Sequence, residues 1–177
     1  MVLAFVSLPI DQLTKSLSRD LYLIHEDDAD TTIYQGKRQE VLSLGSDEAW
    51  LICNLTYVRN HGASWGIMKD LSDTVRPVLL VTFGLFFSMI LLFTALSFQK
   101  NGESGVAFSL VLMVAGSLGN LVDRLRLGYV VDFITLRGQL WGRAWGLPSF
   151  NVADMIIVVA LFCLITMLLR KNKSSQH

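Results

Sequence analysis

The chain has 177 residues, of which 52% are hydrophobic and 17% charged, and its formal net charge is zero. With a mean hydropathy of +0.47, this composition excludes an ordinary soluble domain and predicts a small polytopic membrane protein with one domain, residues 1–177. The balanced charge gives no indication of nucleic-acid binding. Cys53 and Cys163 lie in a polar and an apolar region, which argues against a disulfide, and no metal-ligand spacing occurs.

The amino-terminal segment 2–24 is interpreted as the first of four membrane spans. It is apolar up to Ile10, where Asp11 and Lys15 interrupt the run. It lacks the basic start and the small-residue cleavage site of a signal peptide. We therefore expect a helix whose polar residues face the protein interior. Asp11 and Lys15 are four residues apart, so a simple ion pair on one helix face is the alternative to a functional role.

A polar segment at 25–76 follows and is expected outside the membrane. Its first part is acidic and is predicted to be a solvated loop. Residues 50–58 have the composition of a strand, and Asn60, His61 and Gly62 then form a predicted turn. The fold class is therefore mainly α, with four transmembrane helices and a small β-containing segment between the first two. His61 has no partner at metal-ligand spacing and is interpreted as structural or incidental.

Three further apolar runs, at 78–98, 106–124 and 152–169, are the remaining predicted spans. They are close to the length that crosses about 30 Å of hydrocarbon at about 1.5 Å per residue. Arg170, Lys171 and Lys173 follow the last run directly, which places both termini in the cytoplasm. Arginines between the last two spans oppose this orientation, but arginines near a functional surface often bind specific partners.

Acidic residues lie where the last two spans meet water. Asp123 ends one span, Asp154 opens the next, and Asp132 lies between them. Consecutive antiparallel spans bring these ends to the same membrane face, and an acid at membrane depth is a functional candidate. Structural alternatives remain open: Asn151 and Asp154 as a helix cap, Asp123 and Arg124 as an interfacial cap, and glycines such as Gly116 as packing contacts.

Four ordered motifs give the chain a resemblance to a known family. They are DQLTK at 11–15, NHGASWG at 60–66, GSLGNLVDR at 116–124 continued by GYVVDF at 128–133, and FNVAD at 150–154. Together with four spans, they resemble the bacterial lipoprotein signal peptidase (signal peptidase II) family over nearly the whole length. The segment before the first motif is shorter, and the acidic loop at 25–47 longer, than this resemblance leads us to expect.

The resemblance implies an aspartic endopeptidase of the bacterial inner membrane. It implies cleavage of diacylglyceryl-modified prolipoproteins before the lipidated cysteine, at the outer face, by Asp132 and Asp154. Substrate-binding or supporting roles are implied for the other polar residues of the motifs: Asp11, Lys15, Asn60, Gly62, Asn120, Asp123, Arg124 and Asn151. We expect no cofactor and no metal, a monomer in contact with membrane lipid, and inhibition by cyclic peptides of the globomycin type.

Two other classes of protein compete with this interpretation. Intramembrane acids also mark ion paths, so a small channel or proton-conducting subunit is one rival. A non-enzymatic assembly factor or lipid-binding protein with structural acids is the second. Against a channel, the acids cluster at one face instead of stepping across the bilayer. A zinc protease is disfavoured because the chain contains no His-Glu-x-x-His motif.

Overall fold

The protein is described by a computed structural model that covers residues 2–22, 38–46, 49–62, 72 and 74–174. In chain order, the elements are α1 (Val2–Tyr22), β1 (Gln39–Gly45), β2 (Ala49–Asn60), α2 (Val75–Lys100), α3 (Ser104–Leu127), β3 (Val130–Leu140), β4 (Arg143–Gly146) and α4 (Val152–Ser174). The acidic stretch at 26–30 and residues 63–66 of the second motif lie outside the described residues.

Three of the described helices are long and apolar enough to cross a membrane: Val75–Lys100, Ser104–Leu127 and Val152–Lys171. They contain the predicted spans at 78–98, 106–124 and 152–169. The predicted first span is observed as helix α1, which has four charged residues and is not among these three. The chain is therefore mainly helical, with three candidate membrane spans.

Helix α3 is the central helix of the bundle, packed between α2 and α4 and against α1. Its contact with α2 includes the buried side chains of Ala95, Val106 and Leu110. Its contact with α4 is close because Gly116 has no side chain: a Cβ at this position would lie 2.7 Å from the carbonyl oxygen of Ala153. The packing role that the sequence indicates for this glycine is confirmed.

The four strands form one antiparallel sheet in the order β1-β2-β3-β4. The strand predicted at 50–58 is confirmed as part of β2. The predicted β-containing segment between the first two helices is therefore observed as β1 and β2, and β3 and β4 of the same sheet come from the connection between α3 and α4. Strand β1, all of whose residues are exposed, occupies part of the predicted solvated loop. Residues 130–135 of β3 include two valines, a phenylalanine, an isoleucine and a threonine, a composition typical of a strand that was not predicted from the sequence.

The sheet is joined to the helix ends at two places, a turn after α3 and a backbone bridge before α4. Gly128, with φ of +80°, ends α3 and donates its N–H to the carbonyl oxygen of Arg124 at 3.1 Å, and β3 then begins at Val130. At the other end of the connection, Phe150 exchanges backbone hydrogen bonds of 2.9 and 3.0 Å with Ile134. The start of α4 is therefore held against the first residues of β3.

Candidate active site

Two of the three predicted acids meet in one polar cluster where β3 reaches the start of α4. Asp132 lies on β3, opposite Val58 of β2, and Asp154 lies in the first turn of α4. Three asparagines hydrogen-bond to these carboxylates: Asn60 at the end of β2, Asn120 on α3 and Asn151 just before α4. The structure thus assembles residues of three of the four motifs at one end of the helices.

Asp132 is almost fully buried, with 1% of its surface exposed. One carboxylate oxygen accepts a hydrogen bond from Asn60 Nδ2 at 2.9 Å and the other from Asn151 Nδ2 at 2.8 Å. Burial, followed by the negative charge of Asp154, raises the pKa of Asp132 to about 7, although the two amide hydrogen bonds and Lys15 act in the opposite direction. Asp132 can therefore exchange a proton near neutral pH.

Asp154 combines contact with the cluster and a structural role. Its backbone N–H donates to Asn151 Oδ1 at 3.0 Å, and its own Oδ2 accepts the backbone N–H of Asn151 at 3.2 Å. This reciprocal pair is a capping box, so the predicted cap of α4 is confirmed. The other oxygen, Oδ1, accepts a hydrogen bond from Asn120 Nδ2 at 2.8 Å. A helix cap and a role in chemistry are therefore compatible here.

Asn151 connects the two acids. It is fully buried, and its Nδ2 lies 2.8 Å from Asp132 Oδ1 and 3.2 Å from the carbonyl oxygen of Val131. Its Oδ1 accepts the backbone N–H of Asp154. One side-chain amide thus contacts Asp132 on one side and the backbone of Asp154 on the other, which fixes the position of β3 relative to α4.

A second, buried cluster adjoins the first through the contact of Lys15 with Asn120. It contains Asp11, Lys15 and Asp123, none of them more than 3% exposed. The predicted pair of Asp11 and Lys15 is confirmed at 2.8 Å, but Lys15 also lies 3.0 Å from Asp123. Asp11 accepts the backbone N–H of Ala153, and Asp123 accepts that of Val131. The three side chains thus tie α1 and α3 to the first residues of α4 and β3.

Gln12 is a member of this second cluster that the sequence analysis did not single out. Its Nε2 lies 2.8 Å from Asp123 Oδ1 and 3.2 Å from the carbonyl oxygen of Gly119. Its place inside the first motif was the only sequence feature that could have indicated this role. Gln12 adds a further link between α1 and α3.

The predicted turn after β2 is confirmed, because the N–H of Gly62 donates to Asn60 Oδ1 at 3.1 Å. Arg124 reaches the same turn: its guanidinium donates to the carbonyl oxygens of Gly62 and Asn120, each at 3.3 Å. The His61 ring stacks at a tilt on Tyr129, with 5.2 Å between ring centroids. Arg124 therefore joins the turn to α3, beside both acids.

The cluster has the features of a site for acid–base chemistry. Two carboxyl groups whose charges interact do not ionise independently, so one proton is readily kept by the pair. Such a pair can accept a proton from water and donate one to a carbonyl oxygen. These features define a class: a mainly helical membrane protein with a small antiparallel sheet and two acids at the helix ends, of which Asp132 is buried and Asp154 half-buried.

Comparisons with known proteins agree with this class. Residues 3–170 match the family model described as signal peptidase (SPase) II. Lipoprotein signal peptidases of Moorella thermoacetica and Pseudomonas aeruginosa are each 33% identical, over 96% and 99% of this chain and 91% and 88% of their own lengths. A solved structure described as a bacterial membrane enzyme, determined by the in meso method at 2.3 Å resolution, is 27% identical. It covers 98% of this chain and 88% of that one, with a TM-score of 0.63.

The chain belongs to the signal peptidase II family. The resemblance inferred from the four motifs is therefore confirmed. Membership makes the chain a peptidase, and so a hydrolase, of bacterial membranes. Its apolar helices fit that location.

Proposed function

We propose that the chain is an aspartic endopeptidase that removes the signal peptide from diacylglyceryl-modified prolipoproteins, cutting just before the lipidated cysteine. Asp132 and Asp154 are the catalytic pair. The observation that carries this assignment is the Asn151 amide, which hydrogen-bonds to Asp132 and to the backbone of Asp154. Burial and the negative charge of Asp154, which together raise the pKa of Asp132 to about 7, support it further.

In the reaction, the ionised member of the pair takes a proton from water, and the water oxygen bonds to the scissile carbonyl carbon. The protonated member donates its proton to the carbonyl oxygen, which gives a neutral tetrahedral diol. When the diol collapses, the C–N bond breaks and the nitrogen receives a proton from the protonated member of the pair. One diol hydroxyl returns its proton to the ionised member, which leaves a carboxyl group on the product and one proton on the pair. A shared proton makes the acid and base roles of Asp132 and Asp154 interchangeable, and neither metal nor cofactor takes part.

The other motif residues hold the pair and the peptide. Asn60, Asn120 and Asn151 donate hydrogen bonds to the carboxylates. Gly62, whose carbonyl oxygen accepts a hydrogen bond from Arg124 at 3.3 Å, contacts the substrate backbone in this proposal. Asp11, Lys15 and Asp123 support the site from below.

Helix α1 is the fourth membrane span in this proposal. Its charged residues Asp11 and Lys15 are turned inward and almost completely buried. Its exposed apolar side chains recur at helical spacing and form one outward stripe: Val6, Ile10, Leu13, Leu17 and Leu21. Lipid would therefore contact an apolar surface on α1, despite the polar residues in its sequence.

Both termini are then cytoplasmic, and the acids lie near the outer face of the inner membrane. Lys171, near the carboxyl end of α4, pairs with Glu103 at 2.7 Å, so the basic carboxyl-terminal segment and the α2–α3 connection share one side. An interfacial site suits a substrate whose acyl chains stay in the bilayer while its peptide meets water. The enzyme works as a monomer in contact with membrane lipid, and cyclic peptides of the globomycin type inhibit it.

The test is cleavage of a synthetic diacylated precursor by purified protein. Asp132→Asn and Asp154→Asn remove one acid of the pair, so turnover should fall by on the order of 10³-fold or more. Asp20→Asn, at an exposed position of α1, is the matched control and should cleave normally. A precursor without the lipid should resist cleavage, and a globomycin-type peptide should inhibit. Near-normal cleavage by either Asp132→Asn or Asp154→Asn would show that the pair is misassigned.

A further inference from the structure

The three asparagines around the acids share one orientation, in which each turns its NH₂ group toward a carboxylate. Asn60 and Asn151 donate to Asp132, and Asn120 donates to Asp154. The two ends of a side-chain amide are almost identical in shape, so a half-turn would place oxygen against carboxylate oxygen. Whatever holds each amide in the donating orientation therefore matters to the acids.

For two of these asparagines, the main chain holds the amide. The N–H of Gly62 donates to Asn60 Oδ1 at 3.1 Å, and the N–H of Asp154 donates to Asn151 Oδ1 at 3.0 Å. A backbone N–H can donate but cannot accept. The atom that faces it must therefore be the amide oxygen, and the NH₂ group is directed to the carboxylate.

For Asn120, a side chain occupies the corresponding position. Lys15 Nζ lies 3.0 Å from Asn120 Oδ1. An ammonium group has three donors and no acceptor, so it imposes the same amide orientation as a backbone N–H. The other two contacts of Lys15 Nζ are to Asp11 at 2.8 Å and Asp123 at 3.0 Å. These two carboxylates fix the ammonium where it meets Asn120.

Asn151 is a weaker constraint on Asn120. Its Nδ2 also lies 3.0 Å from Asn120 Oδ1, but it has only two hydrogens. These two hydrogens are shared among three acceptors, because Asp132 Oδ1 at 2.8 Å and the carbonyl oxygen of Val131 at 3.2 Å also lie within hydrogen-bond distance. Lys15 has three hydrogens for three acceptors, Asp11, Asp123 and Asn120, so it is the donor that faces Asn120 Oδ1 without competition.

We propose that Lys15 is a positioning residue for peptide cleavage, which locks the amide of Asn120 so that it donates to Asp154. This inference rests on the proposed function, because it takes Asp154 as one of the reacting acids. With the lock in place, all four carboxylate oxygens of the pair face a fixed donor: Asn60 and Asn151 for Asp132, Asn120 and the N–H of Asn151 for Asp154.

A double-mutant cycle tests whether Lys15 acts through Asn120. Lys15→Met, Asn120→Ala and the double variant are compared with wild type for cleavage of the diacylated precursor. In the wild-type background, Lys15→Met should lower kcat by on the order of 10–100-fold, the usual cost of removing a residue that orients a reacting group. KM should change little, because Lys15 is buried away from the substrate. In the Asn120→Ala background, Lys15→Met should lower kcat less than about twofold.

A second version of the cycle covers the possibility that Lys15→Met fails to fold with two uncompensated acids. In the Asp11→Asn background, Lys15→Met leaves the cluster with the same net charge as wild type, since one acid and the lysine are both neutral. Asn at position 11 keeps an oxygen for the N–H of Ala153, which Asp11 Oδ1 accepts at 2.9 Å. The same non-additive loss of kcat is expected there.

Equal losses of kcat from Lys15→Met with and without the Asn120 amide would overturn the inference, because Lys15 would then act through Asp11 and Asp123 alone. A melting temperature that Lys15→Met lowers equally in both backgrounds supports the inference, provided that kcat is lowered only where Asn120 is present. This result is separate from that for the catalytic pair. If the effects of Lys15→Met and Asn120→Ala on kcat are additive while Asp132→Asn still abolishes cleavage, the role of Lys15 is rejected. The proposed function is then unaffected.

Discussion

The carboxyl group of Asp132 is difficult to ionise, because it is buried and lies near the negative charge of Asp154. Burial and the charge of Asp154 raise the pKa of Asp132 from the ordinary 3.8 to about 7. Between these values the folded chain keeps a proton that the unfolded chain has released. The contribution of Asp132 to stability therefore falls as the pH rises from about 4 to about 7, by on the order of a few kcal/mol, and is constant above that range.

This linkage predicts how the melting temperature depends on pH. Wild type should lose stability between about pH 4.5 and about pH 7, and Asp132→Asn should lose clearly less, because the titrating group is gone. The comparison uses the change with pH within each variant, so the hydrogen bonds that asparagine fails to make at position 132 cancel. Melting curves in detergent at both pH values provide the measurement.

The exposed acid Asp20 supplies the control for this experiment. Asp20→Asn makes the same substitution at an exposed position of α1, so it controls for the loss of one acid that lies outside the site. Parallel loss of melting temperature in wild type and Asp132→Asn would show that Asp132 does not hold the extra proton. It would also remove the electrostatic argument for the catalytic pair.

At the scale of the elements, the distance between α3 and α4 sets the geometry of the site. A Cβ at Gly116 would lie 2.7 Å from both the Ala153 carbonyl oxygen and Ile157 Cγ1. At Gly119 it would lie 2.6 Å from Asp11 Oδ2. Contacts this short with a backbone or a buried ion pair force a shift of the helix. Because α4 begins beside Asn151 and Asp154, any such shift also moves the acid.

Alanine at these glycines is therefore expected to impair both stability and cleavage. Gly116→Ala and Gly119→Ala should each cost about 1–3 kcal/mol through overpacking and lower kcat by tenfold or more. Gly84→Ala on α2 is the matched control: its Cβ would meet only Leu121 Cδ1, at an ordinary 3.6 Å. Thermal melting and precursor cleavage are measured for all three variants. A Gly116→Ala variant that melts and cleaves like Gly84→Ala would contradict this view.

The elements also show what the sequence could and could not reveal. Apolar runs predicted α2, α3 and α4, and antiparallel topology alone predicted that Asp123 and Asp154 lie at one end of the bundle. The catalytic role of Asp132 was inferred from the family resemblance, because its position beside α4 depends on which strand β3 pairs with, and local composition does not specify that partner. The bond from Lys15 to Asn120 joins residues 105 positions apart, and nothing local encodes it.

For the whole molecule, the orientation in the membrane follows from which ends of the helices share a side. The sheet and the acids lie at the end where α3 finishes and α4 begins, and Ser18 of α1 donates to the Thr56 carbonyl oxygen of β2 at 2.9 Å. The carboxyl end of α1 is therefore on the sheet side. If α1 crosses the membrane, its amino end must lie with the α2–α3 connection and the basic segment at 170–173.

Single-cysteine labelling of intact cells tests this topology in a background with Cys53 and Cys163 replaced. Arg19→Cys and Arg143→Cys, both at exposed positions on the sheet side, should react with an impermeant maleimide added outside. Val2→Cys and Asn101→Cys should react only after the membrane is opened, because the basic residues that follow α4 favour the cytoplasm. Asn101 reports the side of the α2–α3 connection independently of α1. Outside labelling of Val2→Cys together with Arg143→Cys, and not of Asn101→Cys, would mean that α1 does not cross and that the protein has three spans.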